Sequence, residues 1–183
     1  MSKMNVCVSY IFCEKRKPLR EKVWERLVKV LSKKYGVSAD TIKVQKDEHG
    51  KLYILSPPGS EYNISYTSGV CLIAFSERHI GVDVEQVKEV PRNILERCYN
   101  KEEQKYVYKG RNQKEKEIRF YEIWTKKEAY VKYLGIGTKK ESMSINVLDK
   151  SISSNFQSVY VDGYIMTVYT DGNYYTIWER SEL

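Results

Sequence analysis

Three short strand patterns follow one another in residues 63–87, NISYTSGVCLIAFSERHIGVDVEQV, and they constrain the fold more than any other part of the chain. Residues 70–75 are apolar at every position, which is typical of a strand buried on both faces. The SERH segment predicts a turn, after which IGVDVE would return antiparallel to the buried strand. The sequence therefore predicts a small antiparallel sheet in this part of the chain.

Helical and strand patterns alternate along the rest of the chain. Residues 20–36, 91–109 and 115–134 read as helices, and the dipeptides at 162–163 and 171–172, both Asp-Gly, predict a three-stranded meander near the end. This order predicts an α+β fold of two halves, each a small antiparallel sheet packed with helices. The predicted halves are residues 1–79 and 80–183.

The composition limits the classes of protein to consider. A hydrophobic content of 42% in 183 residues is enough for a packed core. The net charge of +7 favours an anionic partner such as a phosphate-rich ligand, an acidic protein or a nucleic acid, although a solvated lysine-rich surface would give the same balance. No apolar run is long enough for a membrane helix, and the start lacks the order of a signal peptide, so we expect a cytoplasmic protein.

The cysteines do not indicate a disulfide framework or a zinc site. There are four scattered cysteines, no CxxC pair and only two histidines. We therefore expect the cysteines to be small apolar core residues.

Asp83 and Glu85 lie two residues apart in the segment GVDVE. Residues i and i+2 of a strand point to the same face, so the two carboxylates are expected side by side, with Val82 and Val84 facing the core. Two carboxylates held close together repel unless a cation or a shared proton lies between them. Oxygen ligands without nearby Cys or His favour magnesium or manganese over zinc. On its own, the pattern also fits an exposed strand with alternating acids.

A second charged pattern lies in WTKKEAYVK, residues 124–132. Trp124, Glu128 and Lys132 recur at i, i+4 spacing and would share one helix face. An ordinary surface Glu–Lys pair is one interpretation. The apolar pattern that includes Tyr121 and Ala129 favours a largely buried helix, in which a glutamate and a lysine would need partners. A metal ion and a phosphate would provide them.

Together, GVDVE and the WTKKEAYVK that follows about forty residues later resemble the paired signature of 4′-phosphopantetheinyl transferases, (V/I)G(I/V)D(I/V)E and W(x)xKE(A/S)xxK. The subtype most similar is the surfactin-synthetase-activating one, and the resemblance runs from about Arg20 to Asp149. It implies an α+β fold of two similar halves in one chain, related by a pseudo-twofold axis. Residues 1–79 would contact the nucleotide, and residues 80–183 would carry the metal and catalytic residues. It also implies Mg²⁺-dependent transfer of the 4′-phosphopantetheine arm of coenzyme A to a serine of an acyl or peptidyl carrier protein, with release of 3′,5′-ADP.

The resemblance assigns roles to the charged residues of the two motifs. Asp83, Glu85 and Glu128 would hold Mg²⁺, or Mn²⁺ in its place, on the diphosphate of coenzyme A. Lys132 would neutralise charge on the diphosphate and on the departing oxygen, and Glu128 would take the proton of the acceptor serine. Phosphoryl transfer depends mainly on such positioning and charge neutralisation.

The resemblance also implies contacts to coenzyme A from the first half. GKLY places Lys51 at the adenine nucleotide, and Arg20 is similar to the arginine at the 3′-phosphate end. NISYTSG places Ser65, Tyr66 and Thr67 at the nucleotide as well.

Two features depart from the family pattern. Tyr66 stands where the family usually has a histidine, and a tyrosine hydroxyl can donate a hydrogen bond but brings no positive charge. The segment before Arg20 is shorter than usual, and Lys15, Arg16 and Lys17 are candidates to replace its basic contacts. Both departures concern the affinity for coenzyme A.

Two other classes of protein fit parts of the pattern. A Mg²⁺-dependent nuclease would suit the paired acids and the basic charge, but Val87 occupies the position where such a site usually has a lysine. A non-catalytic carrier-protein or RNA-binding module would suit the charge and the tyrosines, but no RNP-like or KH-like motif is present, and such a module would not need Mg²⁺.

We expect a monomer whose partners are coenzyme A and a carrier protein, with no nucleic acid and no membrane. The basic surface around 89–119 is the candidate for docking an acidic carrier domain. It contains Lys101, Lys105, Lys109 and Arg111.

Overall fold

The computed structural model describes residues 4–12, 16–46, 52–56, 61–90, 93–137 and 144–181. The strands are β1 (Met4–Phe12), β2 (Lys43–Lys46), β3 (Leu52–Ser56), β4 (Glu61–Thr67), β5 (Val70–Ser76), β6 (Gly81–Gln86), β7 (Phe156–Val161), β8 (Tyr164–Tyr169) and β9 (Tyr174–Ser181). The helices are α1 (Arg16–Tyr35), α2 (Ile94–Cys98), α3 (Lys101–Tyr108), α4 (Gln113–Leu134) and α5 (Lys150–Ser153), and a 3₁₀ turn spans Ala39–Thr41.

Sheets with antiparallel pairs and packed helices confirm the predicted α+β class. A first sheet has the strand order β4-β5-β1-β9, a second sheet has the order β6-β8-β7, and β2 pairs with β3. The pseudo-twofold relation between two halves and their division at residue 79 stay predictions. None of the helices in the described ranges is long and apolar enough to cross a membrane.

Two predicted strand pairings are wrong. β6 does not return along β5 but pairs with β8, so β5 and β6 belong to different sheets. β9 leaves the predicted meander and pairs with β1 in parallel, in the first sheet. In both cases the strands lie in the predicted segments, and the error is in which strand each of them pairs with.

The two Asp-Gly dipeptides differ in backbone conformation, and the second does not form the turn of the predicted meander. Asp162 and Gly163 have φ of 50° and 86°, as the tight turn of the β7–β8 hairpin requires. At the second dipeptide Gly172 also has φ of 86°, but Asp171 does not have a positive φ; in the described part of the chain, Asp162 is the non-glycine residue that does. Asp171 therefore does not form the same turn, and the chain continues to the first sheet.

Helix α3 begins separately from α2, although the pattern predicted one helix over 91–109. Asn100 has an extended backbone, and its side chain accepts hydrogen bonds from the backbone N–H groups of Glu102 and Glu103. The Glu103 side chain accepts in return from the Asn100 N–H, which completes a capping box. This cap provides partners for N–H groups that the first turn of a helix leaves unpaired, so a new helix begins here.

The buried side chains arrange the chain in layers. Apolar residues of the first sheet, such as Val6 and Leu72, pack against Val82 and Met166 of the second sheet. On its other face the first sheet packs against α1. The second sheet packs against α2, α3 and α4 through a cluster that contains Leu95, Val107, Ile123 and Ile165.

The predicted burial of the cysteines holds only in part. Cys71 is buried in the cluster between the first sheet and α1, and burial raises the pKa of its thiol. Cys7 is exposed and Cys98 is half-buried. Cys13 lies outside the described residues.

Candidate functional site

The site begins where β6 crosses α4 at very close range. A Cβ atom placed on Gly81 would lie 1.9 Å from the carbonyl oxygen of Ala129 and 2.6 Å from the backbone nitrogen of Tyr133. Glycine is therefore required at this position by space and not by φ. Gly81, Asp83 and Glu85 alternate along β6, so the glycine brings the face with the two carboxylates against the helix.

Asp83, Ser65 and Lys132 form a closed triangle of hydrogen bonds. The Lys132 amine donates to Asp83 Oδ1 at 2.7 Å and to Ser65 Oγ at 2.8 Å. Ser65 Oγ donates to the same oxygen, Asp83 Oδ1, at 2.7 Å. The structure thus brings together Asp83 of GVDVE and Lys132 of WTKKEAYVK and adds a residue of β4.

The two oxygens of Asp83 have different surroundings. Oδ1 accepts from Ser65 and Lys132, whereas Oδ2 is buried and has no hydrogen-bond partner among the described residues. The Asp83 residue is only 4% exposed. A buried carboxylate oxygen without a partner is costly, and a bound cation would satisfy it.

Glu85 lies next to this triangle on the same face of β6. Its Oε2 accepts a hydrogen bond from Thr67 Oγ1 at 3.1 Å. Burial, and secondly the charge of Asp83, raise the pKa of the Glu85 carboxyl, while Thr67, Lys88 and Lys132 oppose the rise. The adjacent acids therefore repel each other, and a cation would relieve the repulsion.

Alternate residues of β4 reach β6 in register. Ser65 contacts Asp83, Thr67 contacts Glu85, and Asn63 Oδ1 accepts from the backbone N–H of Val82 at 3.1 Å. We call Asn63, Ser65 and Thr67 the β4 polar row. Asn63 was not among the predicted site residues, although its i, i+2 spacing to Ser65 and Thr67 indicates that it shares their face.

The third predicted metal ligand, Glu128, lies half-buried on α4, one helical turn before Lys132. In the part of the chain that the structure describes, no group of three Asp, Glu, His or Cys side chains is close enough together to hold a metal ion. The amine of Lys132 instead balances the charge of Asp83. The shared ligation of a metal by Asp83, Glu85 and Glu128 stays a prediction.

Lys127 of the second motif faces the interior. Its amine forms an ion pair with Glu103 at 2.9 Å, with both side chains fully buried, and donates to the carbonyl of Ile145. Glu103 also accepts from the backbone N–H groups of Asn100 and Val147. The pair therefore joins α3, α4 and the segment at 145–147. Glu103 was not predicted as a partner of Lys127, because nothing in the local sequence marks it as buried.

The predicted nucleotide contacts of the first half lie in different surroundings. Tyr66 is on the opposite face of β4 from Ser65 and Thr67, packed against the cluster between the first sheet and α1. Arg20 lies within α1, and Lys51 lies outside the described residues. Their roles stay predictions.

Similarity to known proteins agrees with the geometry. A family model for the 4′-phosphopantetheinyl transferase superfamily matches residues 79–174. The match contains both charged motifs and more than half of the chain. The chain belongs to the 4′-phosphopantetheinyl transferase superfamily.

Two relatives from Bacillus subtilis are similar over the same number of residues. The 4′-phosphopantetheinyl transferase Sfp of strain 168 is 31% identical over 74 residues, and the 4′-phosphopantetheinyl transferase ffp is 34% identical over 74 residues. Each alignment covers 40% of this chain and 33% of the relative. The chain thus covers about a third of the length of these phosphopantetheinyl transferases, and the predicted Sfp-like resemblance is confirmed.

Proposed function

We propose that this protein transfers the 4′-phosphopantetheine arm of coenzyme A to a serine of an acyl or peptidyl carrier protein. The observation that carries the proposal is the contact of 2.7 Å between Lys132 and Asp83, which joins the two charged motifs of the superfamily into one site. Asp83 and Lys132 belong to one chain, so we expect a monomer to be active.

We propose Mg²⁺, or Mn²⁺ in its place, as the metal of this site. Two observations support a cation here: Asp83 Oδ2 is buried without a hydrogen-bond partner in the described residues, and Glu85 is held next to Asp83 against charge repulsion. Asp83, Glu85 and Glu128 would be the protein ligands. When bound, the metal would neutralise negative charge on the diphosphate of coenzyme A.

The charged residues of α4 would serve the transfer itself. Glu128 would take the proton from the hydroxyl of the carrier serine as that oxygen attacks the phosphorus that bears the pantetheine arm. A new bond forms between the serine oxygen and phosphorus, the bond from phosphorus to the leaving nucleotide breaks, and 3′,5′-ADP departs. Lys132, whose side chain is 29% exposed, would place its amine on the departing diphosphate oxygen.

The nucleotide end of coenzyme A would be bound by the first half of the chain. We propose Arg20, Lys51 and Tyr66 for contacts with the adenine nucleotide and its phosphates. Tyr66 would offer a hydroxyl without charge, so affinity for coenzyme A should depend on the two basic residues more than on Tyr66.

We propose that the basic surface of α3 and the following loop docks the carrier protein. Lys101, Lys105, Lys109 and Arg111 are all exposed there, and carrier domains of this reaction are expected to be acidic. Replacing these four residues by Glu should weaken carrier binding in a titration without weakening binding of coenzyme A. Replacing the exposed lysines of α1, Lys29 and Lys33, by Glu is the control for charge reversal elsewhere. If the parent, the variant with four replacements and the α1 control bind the carrier with equal affinity, the proposed docking surface is wrong.

Mass spectrometry tests the reaction class directly. A purified apo carrier protein is incubated with this protein, coenzyme A and Mg²⁺, and a parallel sample contains EDTA. We expect the carrier to gain the mass of one phosphopantetheine arm only in the sample with Mg²⁺. If several carriers gain no mass while coenzyme A binds normally, the proposed transfer is wrong.

A further inference from the structure

The β4 polar row and β6 lie side by side without a shared backbone ladder. In the described part of the chain β4 is an edge strand of the first sheet and β6 an edge strand of the second, so side chains carry the contacts between them. Asn63 fixes the alignment by accepting from the Val82 N–H, and Ser65 and Thr67 then meet the two acids of β6. This row is a different arrangement from a loop that presents its hydroxyls to a ligand.

We propose that Ser65 and Thr67 are positioning residues that orient the carboxylates of Asp83 and Glu85 for the divalent cation. The inference rests on the proposed function, because it concerns the same metal. It goes beyond the role that the family resemblance implies, which is a direct contact of these two residues with coenzyme A.

The hydrogen bonds of Ser65 support the positioning role. Its hydroxyl donates its single hydrogen bond to Asp83 Oδ1, and its oxygen accepts a hydrogen bond from the Lys132 amine. The residue is only 5% exposed, so little of it is available to a ligand. Because Ser65 and Lys132 both engage Oδ1, the carboxylate is held with Oδ2 left for another partner.

Thr67 acts on the second acid in the same way. Its hydroxyl donates to Glu85 Oε2 at 3.1 Å, which limits rotation of the Glu85 carboxylate. Groups that hydrogen-bond metal ligands in this manner set the orientation of the ligands, and their loss typically costs roughly 10- to 100-fold in metal affinity or activity.

Two variants remove the hydroxyls with little change of shape. Thr67→Val replaces the hydroxyl by a methyl group, and Ser65→Ala deletes the hydroxyl. Thr67→Ser is the conservative variant that keeps the donor. Thr167→Val is the matched control, because Thr167 is directly opposite Asp83 in the β6–β8 ladder but its hydroxyl contacts Thr125 and Ser158 instead of an acid.

Mn²⁺ binding is measured by electron paramagnetic resonance in the absence of carrier, once with coenzyme A and once without it. Coenzyme A binding is measured separately in EDTA. We expect Thr67→Val and Ser65→Ala to weaken Mn²⁺ binding by roughly 10-fold or more. Coenzyme A binding in EDTA reports any direct contact of Ser65 and Thr67 with the nucleotide separately, while Thr67→Ser and Thr167→Val should bind Mn²⁺ as the parent does.

The outcomes separate this inference from the proposed function. Loss of coenzyme A affinity in EDTA with unchanged Mn²⁺ binding would overturn the inference and favour direct ligand contact. Failure of the parent to bind Mn²⁺ with or without coenzyme A would overturn the metal assignment and the inference together. If Mn²⁺ binding changes among the variants as expected but the parent transfers nothing to a carrier, the inference is supported and the proposed transferase activity is wrong.

Discussion

Replacing Gly81 by alanine should test whether the close approach of β6 to α4 sets the site. The new Cβ would lie 1.9 Å from the Ala129 oxygen, whereas ordinary contact begins at 3.4 Å, so the helix would have to retreat by roughly 1.5 Å. The atoms that it meets belong to the backbone of α4 and cannot turn aside. Such overpacking typically costs about 1–3 kcal/mol of stability.

The larger effect should be on the reaction. Helix α4 carries Glu128 and Lys132, and β6 carries Asp83, so a shift of the helix breaks the contact of 2.7 Å between Lys132 and Asp83. A misplacement of about 1 Å in a catalytic site can cost on the order of 100-fold in rate. We therefore expect Gly81→Ala to remain folded at moderate temperature and to lose on the order of 100-fold in kcat/KM for carrier modification.

The assay needs a control for overpacking in general. A Cβ on Gly110 would lie 2.7 Å from the backbone nitrogen of Lys116, which is also too close, but Lys116 lies about 18 Å along α4 from Glu128. Thermal unfolding and carrier modification are measured for both variants. Gly110→Ala should lose stability and keep most of its activity. A fully active Gly81→Ala protein, or equal losses of activity in both variants, would refute the reasoning.

Three further predictions concern the charged groups. Lys127→Met should cost about 3–5 kcal/mol in denaturant unfolding because it leaves the buried charge of Glu103 without its counter-charge. Adding Glu103→Leu should recover part of that loss, since it also removes the acceptor of the Asn100 and Val147 N–H groups; an equally unstable double variant would contradict this. Asp83→Asn should abolish transfer and leave Lys132 without an ionised partner, with a nearly unchanged circular dichroism spectrum as the check on folding. The pKa of Glu85 is raised, and a metal binds the ionised carboxylate. The metal concentration that gives half-maximal activity, measured with Mg²⁺ or Mn²⁺ at several pH values, should therefore rise as pH falls through that pKa. In Glu85→Gln this dependence on pH should be weaker.

Local patterns predicted most individual elements well. The alternation in GVDVE placed a strand where β6 spans Gly81–Gln86, and the helical spacing over 115–134 corresponds to α4 at Gln113–Leu134. These patterns are properties of neighbouring residues, since the side-chain period of a strand or helix depends on the backbone alone. The break between α2 and α3 was not predicted, because the apolar spacing continues through it. The break is set by the capping box of Asn100 and Glu103, which starts a new helix.

The motif residues were predicted as a group, but their partners were not. The paired signature placed Asp83 and Lys132 in one site, and the structure joins them. It did not reveal that Ser65 completes the triangle or that Lys127 pairs with Glu103, because each contact joins residues far apart in the chain.

The sequence by itself determined the residue types of the site, the family and the local periodicity of the strands and helices. Only the tertiary structure decided that β9 pairs with β1, that the β4 polar row faces the acids of β6, and that Gly81 admits the backbone of α4. The physical reason is that local periodicity says which face a side chain occupies, while packing of the layers determines what lies opposite that face.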